Sequence, residues 1–113
     1  METKEIGKIK DVSFGFGGYQ DCMLGISFGL GSDKNGWSTC YYKGFWNSSI
    51  EVNERSEWTE EDRRKQHADT MEYIDSILTD AKVRDINKLV GIPVEVTFKS
   101  NSIKSFRILT EAI

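Results

Sequence analysis

Proline occurs once, histidine once and cysteine twice among the 113 residues, and 15 lysines and arginines face 18 aspartates and glutamates. Each scarcity excludes something. A single histidine and two isolated cysteines cannot supply the roughly four ligands of a zinc site, and no pair stands at ligand spacing, so no metal is expected. Cys22 and Cys40 are too few for the disulfide framework of a small secreted domain; two buried free thiols in a reducing compartment are expected instead. A formal net charge of -3 gives no bulk attraction to nucleic acid or anionic lipid, so any polyanion site must be local. Apolar runs extend only a few residues, and the charged start Met1-Glu-Thr-Lys-Glu-Ile lacks the apolar stretch of a signal peptide. A soluble chain that stays where it is made is the expectation. The Asn47-Ser-Ser sequon then has no meaning.

What is present fits one domain over residues 1–113. Ile6 to Phe16 reads as a strand running into the glycine loop Gly15-Phe-Gly-Gly. Cys22, Leu24, Ile26, Phe28 and Leu30 then alternate with Met23, Gly25, Ser27, Gly29 and Gly31, the two-residue period of a half-buried strand whose outer face is nearly bare. Gly31 to Gly36 is a turn. Trp37 to Trp46 is dense in β-formers, and Ile50-Glu-Val52 reads as a further short strand.

At Trp58 the period changes. Thr59 is a good N-cap, Asp62 stands at the capping-box position, and His67, Met71, Ile74, Ile77, Leu78 and Ala81 recur at three and four, which predicts a helix from about Thr59 to about Ala81. Glu60 with Arg64 and Glu61 with Lys65 form i,i+4 pairs on it. Asp85 to Gly91 is a short helical turn or loop, Val94, Val96 and Phe98 alternate as a strand, Ser100-Asn101 turns, and Ile103 to Leu109 returns with Phe106 and Ile108 inward. The fold class is α+β: a small antiparallel meander with one amphipathic helix between the third or fourth strand and the last two. The order is equally that of an OB-like barrel, which binds single-stranded nucleic acid on its middle strands and nearby loops.

Catalytic and cofactor templates fail at named residues. A dinucleotide fingerprint from Gly15-Phe16-Gly17 would need glycine where Gln20 stands, and a phosphate loop from Gly31 to Gly36 would need lysine where Trp37 stands. A calcium loop begun at Gly31 would need glutamate where Tyr42 stands. Nothing in the sequence brings Cys22 or Cys40 beside His67 with a carboxylate such as Asp21 or Asp69. The expectation is a non-enzymatic protein without a cofactor.

Two surfaces could carry binding. One joins Phe14 to Asp21, the Gly25-Ser27-Gly29 face and the aromatics Trp37, Tyr41 and Phe45, where a smooth strand admits a ligand and flat rings stack on it; the competing reading has the helix packed on that face and the aromatics in the core. Tyr19, Gln20, Trp37, Tyr41 and Arg107 are the ligand-facing candidates. The other surface is acidic: Glu51, Glu54, Glu57, Glu60, Glu61 and Asp62, with Glu54 to Asp62 as the partner-facing segment, complementary to a basic groove on a partner protein, including one that normally holds nucleic acid; the competing reading is an ordinary solvated face, partly neutralised by Arg63, Arg64 and Lys65.

Lys8-Ile-Lys-Asp-Val-Ser-Phe-Gly-Phe-Gly-Gly-Tyr-Gln-Asp21, Trp58-Thr-Glu-Glu-Asp-Arg63, and Leu89 to Phe98 followed by Ser105 to Glu111 resemble a family of small uncharacterised proteins of bacteriophages and prophages, over nearly the whole chain. The resemblance implies an accessory phage protein in the host cytoplasm that counters host immunity, as an anti-CRISPR protein does, by occluding a host defence protein or sequestering a small nucleotide. A single-stranded nucleic-acid or nucleotide binder is the alternative, with nucleic acid disfavoured by the net charge, and a small hydrolase or transferase dependent on His67 or Cys22 is the second alternative. A homodimer through the edge strand Ile103 to Leu109 is left open.

Overall fold

The computed structural model describes residues 1–53 and 56–113, and of Tyr19 the backbone alone. Its elements are β1 (Glu2–Gly17), β2 (Met23–Ser32), β3 (Trp37–Trp46), the helix α1 (Glu60–Ala81), β4 (Pro93–Lys99) and β5 (Ser102–Ile108), with short 3-10 turns at Tyr19–Asp21, Ile86–Leu89 and Thr110–Ala112. The expected α+β class is what forms: one helix and a five-stranded antiparallel sheet ordered β3-β2-β1-β4-β5. The sheet is not closed.

β1 is longer than its sequence suggests and serves two partners. Glu2 to Lys8 pairs with β4 and Lys8 to Gly17 with β2, with a register shift between Ile9 and Asp11 where the duties change. A bulge of this kind leaves backbone groups unpaired and bends the strand. Here the segment before β4 satisfies them: the Ile9 N–H donates to the Ile92 carbonyl at 3.0 Å, and the Gly91 N–H donates to the Ile9 carbonyl at 2.8 Å. The bend curls the sheet until its two edges look at each other. Tyr41 of β3 meets Phe106 of β5 edge-on at 5.5 Å across the unpaired β3–β5 seam, and Trp37 of β3 meets Phe98 of β4 at 5.5 Å.

Residues directly opposite each other in a ladder share a face, so Leu24, Ile26, Phe28 and Leu30 set the inner side for their β1 and β3 partners. Ile26, Phe28 and Leu30 pack with Ile9, Val94, Val96, Phe106 and Ile108 into the core, which Ile77 and Ala81 of α1 close. The helix begins with the expected capping box: the Asp62 N–H donates to Thr59 Oγ1 at 3.1 Å and the Thr59 N–H to Asp62 Oδ2 at 2.8 Å. It ends at Ala81 because Lys82 turns left-handed, with φ 59°. Ser100 and Asn101, both at positive φ, make the last hairpin turn.

Four sequence expectations differ. Ile50 to Val52 forms no strand; its carbonyl at Ile50 instead accepts from the Arg63 guanidinium, which ties that segment to the helix. Met71 and His67 are exposed, since the buried stripe of α1 runs through Arg63, Thr70, Ile77 and Ala81, one side over from the predicted one. Cys40 is exposed and Cys22 half-buried, because Cys40 faces outward opposite Gly29. The helix ion pairs are Glu60–Arg63 and Glu61–Arg64 at i,i+3 in place of the i,i+4 pairs.

Candidate functional site

α1 packs on β3 and β5, which leaves the end of the β1–β2 hairpin reaching beyond the helix. Phe14 and Phe16 lie there on the inner face, opposite Ile26 and Leu24, yet Phe14 is 45% and Phe16 74% exposed. An unpaired large aromatic at that exposure is free area for a partner. The 3-10 turn behind them is tight: Gly18, Gln20 and Asp21 all take positive φ, at 70°, 51° and 57°. Two consecutive non-glycine residues in that region are uncommon and give the hairpin end a sharp reversal.

A hollow lies on each side of Phe16. On the outer face a groove of about 300 Å³ is floored by Gly15, Gly17, Gly25 and Ser27 and walled by Tyr42. The glycines at 17 and 44 let Tyr42 lie flat: a Cβ at Gly44 would stand 2.8 Å from its Cε1. The Tyr42 hydroxyl donates to the Gly15 carbonyl at 3.3 Å, and burial, with Asp21 adding to it, pushes the phenol pKa up. On the inner face a cleft of about 480 Å³ runs between Phe16, Leu24 and Phe45 and the first turns of α1, where Glu60, Arg63 and His67 line it. The His67 ring rests on Phe45, centroids 3.9 Å apart. Arg63, only 8% exposed, lies 4.9 Å over the Trp58 ring, which stacks on Trp46 at 6.1 Å. That cation and aromatic column fixes the approach to the helix against β3.

The sequence candidates are only partly gathered here. Gln20 is exposed at the hairpin end, and the side chain of Tyr19 lies outside the description. Trp37 and Tyr41 turn inward and pack against the core. Arg107 stands on the edge strand β5, where its guanidinium is held by Glu95 at 3.0 Å and by both oxygens of Glu111 at 2.9 and 2.8 Å. Of the acidic segment, Glu57, Glu60, Glu61 and Asp62 are exposed, and Glu54 lies outside the described residues. Glu60 joins this segment to the Phe16 cleft. The smooth Gly25-Ser27-Gly29 face is turned away from α1, so the helix does not cover it.

Phe14, Phe16 and Tyr42 are what sequence reasoning underweighted. The alternation of Val12, Phe14 and Phe16 marks one face of β1 in the sequence, but that this face is left uncovered at its end follows from where α1 packs on the sheet. Compared with protein-family models, with curated proteins and with solved structures, the chain matches none.

Proposed function

We propose that the chain is a non-enzymatic phage accessory protein that counters host immunity in the host cytoplasm, in the manner of an anti-CRISPR protein, by covering a functional surface of a host defence protein. The observation that carries this reading is the pair of solvent-exposed phenylalanines at the β1–β2 hairpin end, Phe16 above all. Interfaces draw most of their energy from a few aromatic anchors surrounded by a polar rim. Beside Phe16 the cleft carries Glu60 together with Arg63, Arg64 and His67, while Glu57, Glu61 and Asp62 extend exposed acidic charge along the start of α1, so the complementary surface is apolar where it meets Phe16 and basic where it meets the helix start. A groove that normally holds nucleic acid has that character.

The test is recovery from host lysate on immobilised protein: a defence component retained at one-to-one stoichiometry by the wild type and lost by Phe14→Ser/Phe16→Ser supports the reading. Absence of any stoichiometric defence component counts against it. A second reading, a single-stranded nucleic-acid or nucleotide module, has the strand order in its favour. It loses two of its stacking residues, since Trp37 and Tyr41 serve the core. Titration with oligonucleotides and cyclic nucleotides, read by fluorescence of the three tryptophans, separates the two.

A further inference from the structure

The net charge of -3 hides a cationic hollow remote from the acidic start of α1. Lys8 lies on the outer face of β1, where it pairs with Gly31 of β2 and Pro93 of β4. Lys10 sits within the bulge, and Lys34 rides on the β2–β3 turn. All three line one hollow of about 410 Å³, together with Ile6, Ser32 and Pro93. Gly31 keeps the floor bare: a Cβ there would stand 2.9 Å from the Trp37 carbonyl and 3.6 Å from the Lys10 stem. The turn is braced by Ser32, whose hydroxyl accepts from the Asn35 N–H at 3.2 Å and whose carbonyl accepts from the Gly36 N–H at 2.8 Å.

Three ammonium groups face one carboxylate in this hollow. Asp33 holds Lys10 at 2.7 Å, with 94% of its own side chain exposed, so it can swing into solvent without unpacking anything. Among the described residues, Lys8 and Lys34 form neither an ion pair nor a side-chain hydrogen bond. The local field is positive enough that Lys10, and Lys8 after it, hold the Asp33 carboxyl below the usual carboxylate range. Ile6, half exposed, and Pro93 give the hollow an apolar side. Lysine binds phosphate as a point charge, and convergent lysines suit an anion carrying more than one charge.

We propose that this hollow is an anion site for linked phosphates, taken either from the polyphosphate of a free nucleotide or from successive phosphodiesters of a single strand. Asp33 occupies it in their absence and gives way when they bind. The site lies at the middle of β1 and at the other end of β2 from the Phe16 hairpin end, so it is independent of the contact proposed above.

The experiment is an amide-resolved NMR titration of the whole chain with pyrophosphate, adenosine triphosphate and an oligothymidylate, with sodium chloride at matched ionic strength as the control. Shifts centred on Gly7, Gly31, Ser32 and Asn35 are expected with all three phosphates and not with chloride, weakening between about 50 and 200 mM salt. Tighter binding per phosphate by the oligothymidylate assigns the strand; equal or weaker binding assigns the free nucleotide. Lys8→Glu/Lys34→Glu is expected to weaken binding at least about tenfold, and Asp33→Asn to tighten it about threefold, because it removes the competing carboxylate. No shifts at those amides, shifts that survive the double charge reversal, or an Asp33→Asn variant that does not tighten would each overturn the proposal.

Discussion

Truncating Phe16 to alanine separates a binding residue from a structural one, and the separation can be worked from exposure. Burying a phenylalanine side chain fully is worth about 2 to 3 kcal/mol. Phe16 keeps 74% of its surface in solvent, so only about a quarter of that, roughly 0.5 to 0.8 kcal/mol, rests on its place in the fold. Phe28 is the control. It is 0% exposed and meets Phe106 at 5.0 Å and Tyr73 at 6.3 Å edge-on, so Phe28→Ala removes about 3 to 5 kcal/mol, a large share of the stability of a domain this size. Urea unfolding followed by tryptophan fluorescence reads both. Phe16→Ala should shift the midpoint slightly with an unchanged slope, whereas Phe28→Ala should unfold at far lower urea or fail to fold. A hot-spot aromatic at an interface loses about 2 kcal/mol or more of binding on the same truncation. The reasoning is refuted if Phe16→Ala costs about 2 kcal/mol or more of folding stability, because the ring would then be a core residue.

Other consequences follow from particular contacts. Gly25→Ala places a Cβ 2.2 Å from the Lys43 carbonyl oxygen and 2.5 Å from Gly44 Cα; both neighbours are backbone and cannot yield, so a loss of about 3 kcal/mol in urea unfolding is expected. The Tyr73 hydroxyl is buried without a partner, so Tyr73→Phe should be neutral or stabilising by up to about 1 kcal/mol. Burial raises the Tyr73 phenol well above its ordinary 10.0. Below its ordinary pKa of 10.0 this phenol leaves stability unchanged with pH; above it the unfolded chain ionises first and the wild type loses stability, so thermal melts of Tyr73→Phe should lose less there than the wild type. The Arg107 guanidinium, bonded to Glu111, draws that carboxyl from 4.5 down to about 2, while Lys104 lowers Glu2. These groups support the fold above their ordinary pKa range and stop doing so as pH falls through the lowered values, a small effect for exposed groups that Arg107→Gln should flatten in acid melts.

How much was legible depended on contrast in each segment. β2 could be read residue by residue because large apolar side chains alternate with glycine and serine, and α1 because Thr59 and Asp62 fix its start chemically. β3 offered no such contrast. Trp37, Tyr41 and Phe45 alternate with Ser38, Tyr42 and Trp46, and both faces carry rings, so nothing in the segment says that Trp37 and Tyr41 point inward while Tyr42 faces out. The double role of β1 was hidden for another reason: its first half, Glu2 to Lys8, is charged enough to pass for a solvated tail, and only pairing with β4 makes it a strand. The exposure of Phe16 depends on where α1 lies across the sheet, a tertiary fact that no local pattern encodes. Arg107 looked available because its partners Glu95 and Glu111 are brought to it by the β4–β5 ladder and the following turn.

The hairpin end is proposed to block a host defence protein. Plaque counts of a phage on bacteria with active CRISPR immunity, with and without the chain expressed, test it most directly. The account predicts that the wild-type chain restores plaques and that Phe14→Ser/Phe16→Ser, expressed and folded to the same extent, does not. Immunity undiminished by the wild-type chain, or plaques restored equally by the double variant, would contradict it.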